Sequence, residues 1–489
     1  MYRRILALVL LTCGCGRTAP PTPNAATTSS ARIERVLRGL RPAIEVAGET
    51  PIRWTLAERM AHHKVPGLSV AVIDSGRIVW ARGFGVKEAG GTDSVTTETL
   101  FQAGSISKPT FALAIMRMVQ DGQLSLDENV NAKLTSWKVP ENRFTATEKV
   151  TLRRILSHNA GLTVHGFPGY EAGTPIPTVV QVLDGKRPAN TAPVRVDTFP
   201  GAISRYSGGG TTVAMLLLTD VTKKPFPELM QQLVLTPAGM TSSTYEQNLP
   251  PDMAAKIATG TYTDGRPVKG RAHIYPEMSA AGLWTTATDL AKLAIELQHT
   301  WAGQPGHVVN KATLTQMFTV QKAPFGIGYV LGGTGKDLDF EHNGADEGFQ
   351  ALFVAYAERG QGLFAMANSD NGIDLIKELQ AAVADEYQWP SHQTTIKTSI
   401  AYDSASFAAL AGSYELLGQQ RPATFTVSVQ GKKALLSIPA FRMDSVELLA
   451  DSDTSFFLRS DGTPVVAKKD ANGRITMLTI AGQVTARKK

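Results

Sequence analysis

The chain has 489 residues, of which 43% are hydrophobic and 19% charged, with 49 Lys and Arg against 43 Asp and Glu. That length suits two folded domains and a leader rather than one small core, and the balance is that of an ordinary soluble globular protein. The net charge of +6 is scattered apart from Arg487-Lys488-Lys489 at the end. There is no basic stripe, so no nucleic-acid partner is expected.

The N-terminus is different in kind. Arg3-Arg4 precedes an apolar run over 5–11 that is too short to span a bilayer. Thr12-Cys13-Gly14-Cys15-Gly16 then resembles a bacterial lipoprotein signal, with Cys15 the expected lipidated residue, Cys13 the other candidate and an ordinary cleaved signal the alternative. The expectation is a signal peptide over 1–15 and a protein that is exported, periplasmic or membrane-anchored. Both cysteines lie in this leader, so the remaining chain has no disulfide, thiol nucleophile or cysteine metal site. Residues 17–32 are rich in Pro, Thr, Ser and Ala, which predicts a flexible tether over 16–45.

A helix is predicted around 52–63. Two strands follow at 67–73 and 77–83, joined by the turn residues Asp74-Ser75-Gly76. Residues 111–119 are apolar nearly all round, as in a buried helix, and Asp121-Gly122 ends it. Pro109 falls in the first turn, where its missing N–H costs nothing. The segment 163–200 is Pro- and Gly-rich without periodicity, which marks a functional or mobile loop. Helices are expected again at 211–221 and 289–298, and strands at 348–356 and 362–368. Beyond residue 393 short alternating segments (425–429, 434–438, 475–480) are separated by Gly431, Asp461-Gly462 and Asn472-Gly473. That pattern predicts a small antiparallel barrel or meander.

The most informative motif is Ser105-Ile106-Ser107-Lys108, between a strand-like stretch and the first buried helix. Ser105 and Lys108 fall on one helical face. A lysine made less basic by burial can take the serine proton, and the helix N-terminus favours a developing oxyanion. Alone, Ser105 reads equally as a helix cap and Lys108 as a surface lysine. Three further motifs follow in order: Leu156-Ser157-His158-Asn159-Ala160-Gly161-Leu162, Tyr206-Ser207-Gly208 before the next buried helix, and His342-Asn343-Gly344 before the strand at 348. No Gly-x-Ser-x-Gly elbow surrounds Ser105 or Ser207, His62-His63 has no acidic partner in a metal pattern, and 332–337 lacks elements of a phosphate loop.

With these motifs, over about 50–390, the chain resembles the serine β-lactamase-related hydrolases: class C β-lactamases, D-peptidases and esterases. The resemblance implies an α+β fold, an antiparallel sheet flanked by helices plus an all-helical lobe, as a hydrolase domain over 46–392. It implies Ser105 as acylated nucleophile, Lys108 and Tyr206 as the other catalytic residues, and the amides of Ser105 and Ala345 as oxyanion hole. His342 (at an edge strand), Asn343, Gly344 and Gly208 are implied substrate-binding positions, and His158 is a structural residue of a turn. No metal or cofactor is implied. Leu410-Ala411-Gly412-Ser413-Tyr414-Glu415 resembles the start of a lipocalin-like β domain, over 398–489.

Two departures shape the functional expectation. Gly208 stands where β-lactamases carry Asn, and His342-Asn343 replaces Lys followed by Thr or Ser. They favour a small-molecule ester or a D-amino-acid peptide as substrate over a β-lactam. A slowly acylated or non-catalytic sensor lipoprotein is one alternative; a weak β-lactamase or peptidoglycan-remodelling peptidase is another.

Overall fold

A computed structural model describes residues 25–400, 404–417, 423–439, 443–482 and 484–489. The leader, Cys13, Cys15 and the start of the expected tether lie outside the described residues.

From residue 25 the tether expectation is corrected. Helix α1 (Ala25–Leu37) is followed by strand β1 (Ile44–Val46). Ile33, Val36 and Leu40 recur at helical spacing and are 5%, 1% and 0% exposed. This apolar stripe outweighs the Ser/Thr-rich start. Arg32 and Arg35 then pin the helix to Glu386 at 3.2 and 2.7 Å. Helix α2 (Leu56–His63) opens with a capping box: the Thr55 hydroxyl accepts from the Glu58 amide, and the Glu58 carboxylate accepts from the Thr55 amide.

β2 (Gly67–Asp74) and β3 (Arg77–Gly85) form the expected hairpin, with Ser75 (φ 54°) and Gly76 (φ 69°) in its turn. β4 (Phe101–Gln102) pairs with β5 (Trp284–Thr285) in a separate two-stranded sheet. β6 (Val330–Gly332), β7 (Asp339–Asp346), β8 (Phe349–Tyr356) and β9 (Gly362–Ala367) complete a six-stranded antiparallel sheet in the order β3-β2-β9-β8-β7-β6. β6 reaches only as far as Glu341, so from His342 onward β7 is an open edge.

Strand alternation gives each face its own core. Leu68, Val70 and Val72 of β2 meet α1, α2 and α6 (Gly372–Glu386) on one side; α3 (Ser107–Gln120), α4 (Gly208–Thr222) and α5 (Ala287–Trp301) are the other long helices. Ala71 and Ile73 face the opposite core, with Phe111 and Ile115 of α3, Val213 and Leu217 of α4, and Leu290 of α5. α4 starts three residues before its apolar run because Ser207 caps it, its hydroxyl accepting from the Gly210 amide at 2.8 Å. The segment 163–200 is largely irregular, with one short helix, Val179–Asp184.

β10 (Thr395–Lys397) runs parallel to β1 at the join to the C-terminal part. There β11 (Gly412–Leu416), β12 (Thr424–Gln430), β13 (Lys433–Ile438), β14 (Met443–Ala450), β15 (Ser455–Leu458), β16 (Pro464–Lys469), β17 (Ile475–Ile480) and β18 (Val484–Lys488) close into an antiparallel barrel. Inward alternation of Phe425 and Val427 with Leu436, Ile438 and Leu478 fills it. Tyr414 stacks on Phe425 and donates its hydroxyl to the Leu410 carbonyl at 2.7 Å. Arg459 of the barrel holds Glu49 with two 2.8 Å hydrogen bonds.

Candidate active site

Ser105 lies in a 3-10 turn (Gly104–Ile106) that feeds directly into α3. The turn presses against the open edge of β7. Gly104 is left-handed (φ +50°), and a Cβ on it would sit 2.5 Å from the Ala345 nitrogen. A Cβ on Gly344 would sit 1.9 Å from the Ala103 carbonyl oxygen and 3.2 Å from the Ser105 nitrogen. Only glycine at both positions permits this approach, and it sets the Ser105 and Ala345 backbones side by side. Ser107 stiffens the turn, donating its hydroxyl to the Gly104 carbonyl at 2.6 Å and accepting from the Leu283 amide at 3.0 Å.

Lys108, one turn on, is 4% exposed. Its Nζ lies 2.9 Å from Ser105 Oγ and donates to the Ala280 carbonyl at 2.7 Å. Burial pulls the amine down to about 7, with the nearby Asp346 carboxyl acting in the opposite direction. Neutral amine is therefore abundant near neutral pH, as a serine base requires. Asp346 is itself deeply buried, and burial pushes its carboxyl well above the usual range despite the Lys108 charge.

Tyr206 reaches the same point from the loop before α4. Lys108 Nζ is 4.9 Å from its ring centre, and its hydroxyl is 3.5 Å from His342 Nε2. Burial drives the phenol upward, with the Ser105 hydroxyl acting the other way. The group is held protonated rather than as a standing phenolate. His342 is 4% exposed, and its Nδ1–H donates to the Asn343 carbonyl at 2.5 Å, which leaves the Nε2 lone pair toward Tyr206. Burial, then the Lys108 charge, lower this imidazole to about 4, so it is neutral at pH 7.

Ser105, Lys108, Tyr206, His342, Gly344 and Ala345 thus meet at one place. Two expected substrate contacts differ. The Asn343 side chain is exposed on the outer side of β7, alternating with His342. Gly208 is buried and its amide already donates to the His165 carbonyl at 3.0 Å. A Cβ there would be 3.1 Å from both the His165 oxygen and the Phe167 ring. The 163–200 segment fills the space an asparagine would use, so Gly208 contributes no binding group.

His158 is closer to the chemistry than a plain turn residue. Its ring lies 4.2 Å from the Tyr206 ring, and its Nδ1 accepts from the Ser207 amide at 3.2 Å. Burial holds it well below its usual range, hence neutral. It positions Tyr206. His165, on the irregular segment, stacks at 4.9 Å on the other part of the same wall. His165, Ala280 and Asp346 were not marked by any local pattern.

The Beta-lactamase family model matches residues 52–388. Over 213 residues the chain is 29% identical to "Unguisins hydrolase ungD'" of Aspergillus campestris, covering 41% of this chain and 35% of that protein. Over 187 residues it is 28% identical to "Penicillin-binding protein 4" of Amycolatopsis lactamdurans, covering 38% of this chain and 46% of the relative. The chain therefore spans less than half the length of these two relatives. An octameric penicillin-binding protein homologue from Pyrococcus abyssi shares the fold at 20% identity, with a TM-score of 0.58 over 88% of this chain and 98% of the other. With a family model matched over residues 52–388, more than half of the chain and the part that carries Ser105, Tyr206 and His342, this chain belongs to the Beta-lactamase family.

Proposed function

We propose that the chain is a serine hydrolase that forms an acyl-enzyme on Ser105, with an ester or a D-amino-acid peptide as substrate. The observation that carries this reading is the 2.9 Å approach of a buried, partly neutral Lys108 amine to Ser105 Oγ. As Oγ attacks the carbonyl carbon, its proton passes to Lys108 Nζ. The carbonyl oxygen gains the negative charge beside the Ser105 and Ala345 amides, where losing one donor typically costs about 10²–10³ in rate. Tyr206 then gives its proton to the leaving oxygen or nitrogen and is reprotonated from Lys108. Water repeats the sequence in reverse to release the acid.

The substrate class rests on charge. His342, where β-lactamases place a lysine, is neutral, and Gly208 leaves no amide side chain beside the serine. Both features favour an acyl group without an adjacent carboxylate over a β-lactam. Residues 46–392 form the catalytic domain in this reading, and 398–489 an appended barrel. The leader pattern makes the protein an exported lipoprotein anchored through Cys15, with no nucleic-acid partner.

Steady-state turnover on an aryl ester, a D-residue peptide amide and a chromogenic cephalosporin tests the assignment. Turnover of the ester or the amide, with kcat/KM exceeding that for the cephalosporin, supports it. A single stoichiometric acylation without turnover would favour the sensor reading, and preferred cephalosporin turnover would favour a β-lactamase.

A further inference from the structure

A second cluster of chemistry-bearing side chains sits on the opposite face of β7 from His342. Asp339 and Glu341 are two residues apart on this strand, so both point to one side while His342 points to the other. Facing them is His392, in the segment that leaves α6 for the barrel. The carboxylate oxygens and the imidazole nitrogen lie within 4.8 Å of one another, and Glu341 Oε2 is 3.8 Å from His392 Nε2.

Three observations set the cluster apart from a chance meeting of surface acids. Asp339 is 3% exposed, and its side-chain donor, the Ser391 hydroxyl, stands at a long 3.5 Å. The His392 Nε2 atom is buried with no hydrogen-bond partner, although a buried ring nitrogen ordinarily has one. His392 also holds a left-handed backbone (φ 64°), and its ring is flanked by Tyr356 and Trp389 at 6.5 and 6.4 Å. Among the described residues neither Asp339 nor Glu341 is paired with a lysine or arginine.

We propose that Asp339, Glu341 and His392 form a structural site for a divalent zinc ion that ties β7 to the segment entering the barrel. One imidazole with two carboxylates suits zinc better than calcium or magnesium, which take oxygen ligands. Tetrahedral zinc sets its ligands about 3.4 Å apart, so the mostly buried Glu341 and His392 side chains draw in slightly around the ion and water completes the shell. A Cβ at Gly332 would stand 2.6 Å from the Asp339 carboxylate, so glycine there keeps the carboxylate in place. The site is independent of the Ser105 chemistry.

The test is zinc binding by the purified protein, stripped with chelator and reloaded with Zn²⁺. It is read as metal content by mass spectrometry and as the shift in thermal midpoint, for the native chain, Glu341→Gln and His392→Gln. The expected result is one zinc per chain, a raised midpoint, and binding at least about tenfold weaker in each variant. Circular dichroism and labelling of Ser105 in each variant separate lost ligation from lost folding. Absence of saturable binding at micromolar Zn²⁺ would overturn the proposal and leave a proton shared by the two carboxyls. Stoichiometric binding unchanged by both substitutions would overturn it equally.

Discussion

At the scale of single residues, Lys108 decides the chemistry. A lysine at its ordinary value would be almost wholly charged at pH 7 and a poor base. Burial brings it to about 7. The sign follows directly: the depressed value puts the active neutral amine above pH 7 and the inactive ammonium below it. We therefore expect kcat/KM to rise about tenfold per pH unit below 7 and to level off above it, measured on an uncharged ester. A flat profile, or a fall across the same range, would remove Lys108 from the role of base. Much of this was legible in the chain itself, because Ser105 and Lys108 are one helical turn apart and Tyr206 and His342 follow in order. Ala280, Asp346 and His165 were not legible, since each reaches the site through long-range packing that leaves no local spacing. The same holds for Glu341 and His392, which a strand period and a 51-residue gap bring together. Gly208 was read as a place where a binding group is lost. The structure adds the cause, that His165 and Phe167 occupy the room.

At the scale of elements, the site depends on β7 lying hard against the nucleophile turn. Gly344→Ala forces a methyl into the Ala103 carbonyl and must push the strand away from Ser105. Loss of one oxyanion donor then lowers kcat by about 10²–10³, with KM changing far less; steady-state kinetics on a folded variant would show it. A variant retaining native kcat would mean that the Ala345 amide plays no part. The hairpin, the buried helices and the β8 and β9 strands were readable from periodicity. α1 was not: its Ser/Thr-rich first turn hides a stripe that begins only at Ile33. The structure makes that helix part of the core, so deleting 25–40 removes three apolar side chains worth roughly 1.5–3 kcal/mol each. Denaturant unfolding should show a loss of several kcal/mol. An unchanged midpoint would restore the tether.

At the scale of the whole molecule, two cores back one sheet and a third fills the barrel. The sheet and its helices hold β7, the turn leading into α3, α3 itself and the loop before α4 in fixed relation, and these carry Ser105, Lys108, Tyr206 and His342. The barrel was visible in the sequence as short alternating segments; its closure through β11 and β18 was not, because strand pairing over 70 residues has no local signature. Its attachment includes a short parallel ribbon of β1 and β10, the Lys397 ammonium 4.8 Å over the Phe457 ring, and the Arg459–Glu49 pair. That ion pair is partly exposed and is worth about 1 kcal/mol or less. Arg459→Ala should therefore leave both thermal stability and Ser105 reactivity nearly unchanged. A large drop in either would show that the barrel supports the site.

An activated serine at position 105 is open to intact-mass spectrometry after exposure to a fluorophosphonate probe. The expected result is one adduct per chain, absent in Ser105→Ala and formed at least about 10²-fold more slowly in Lys108→Gln. A folded protein that takes up no probe, or an adduct that persists in Ser105→Ala, would contradict it.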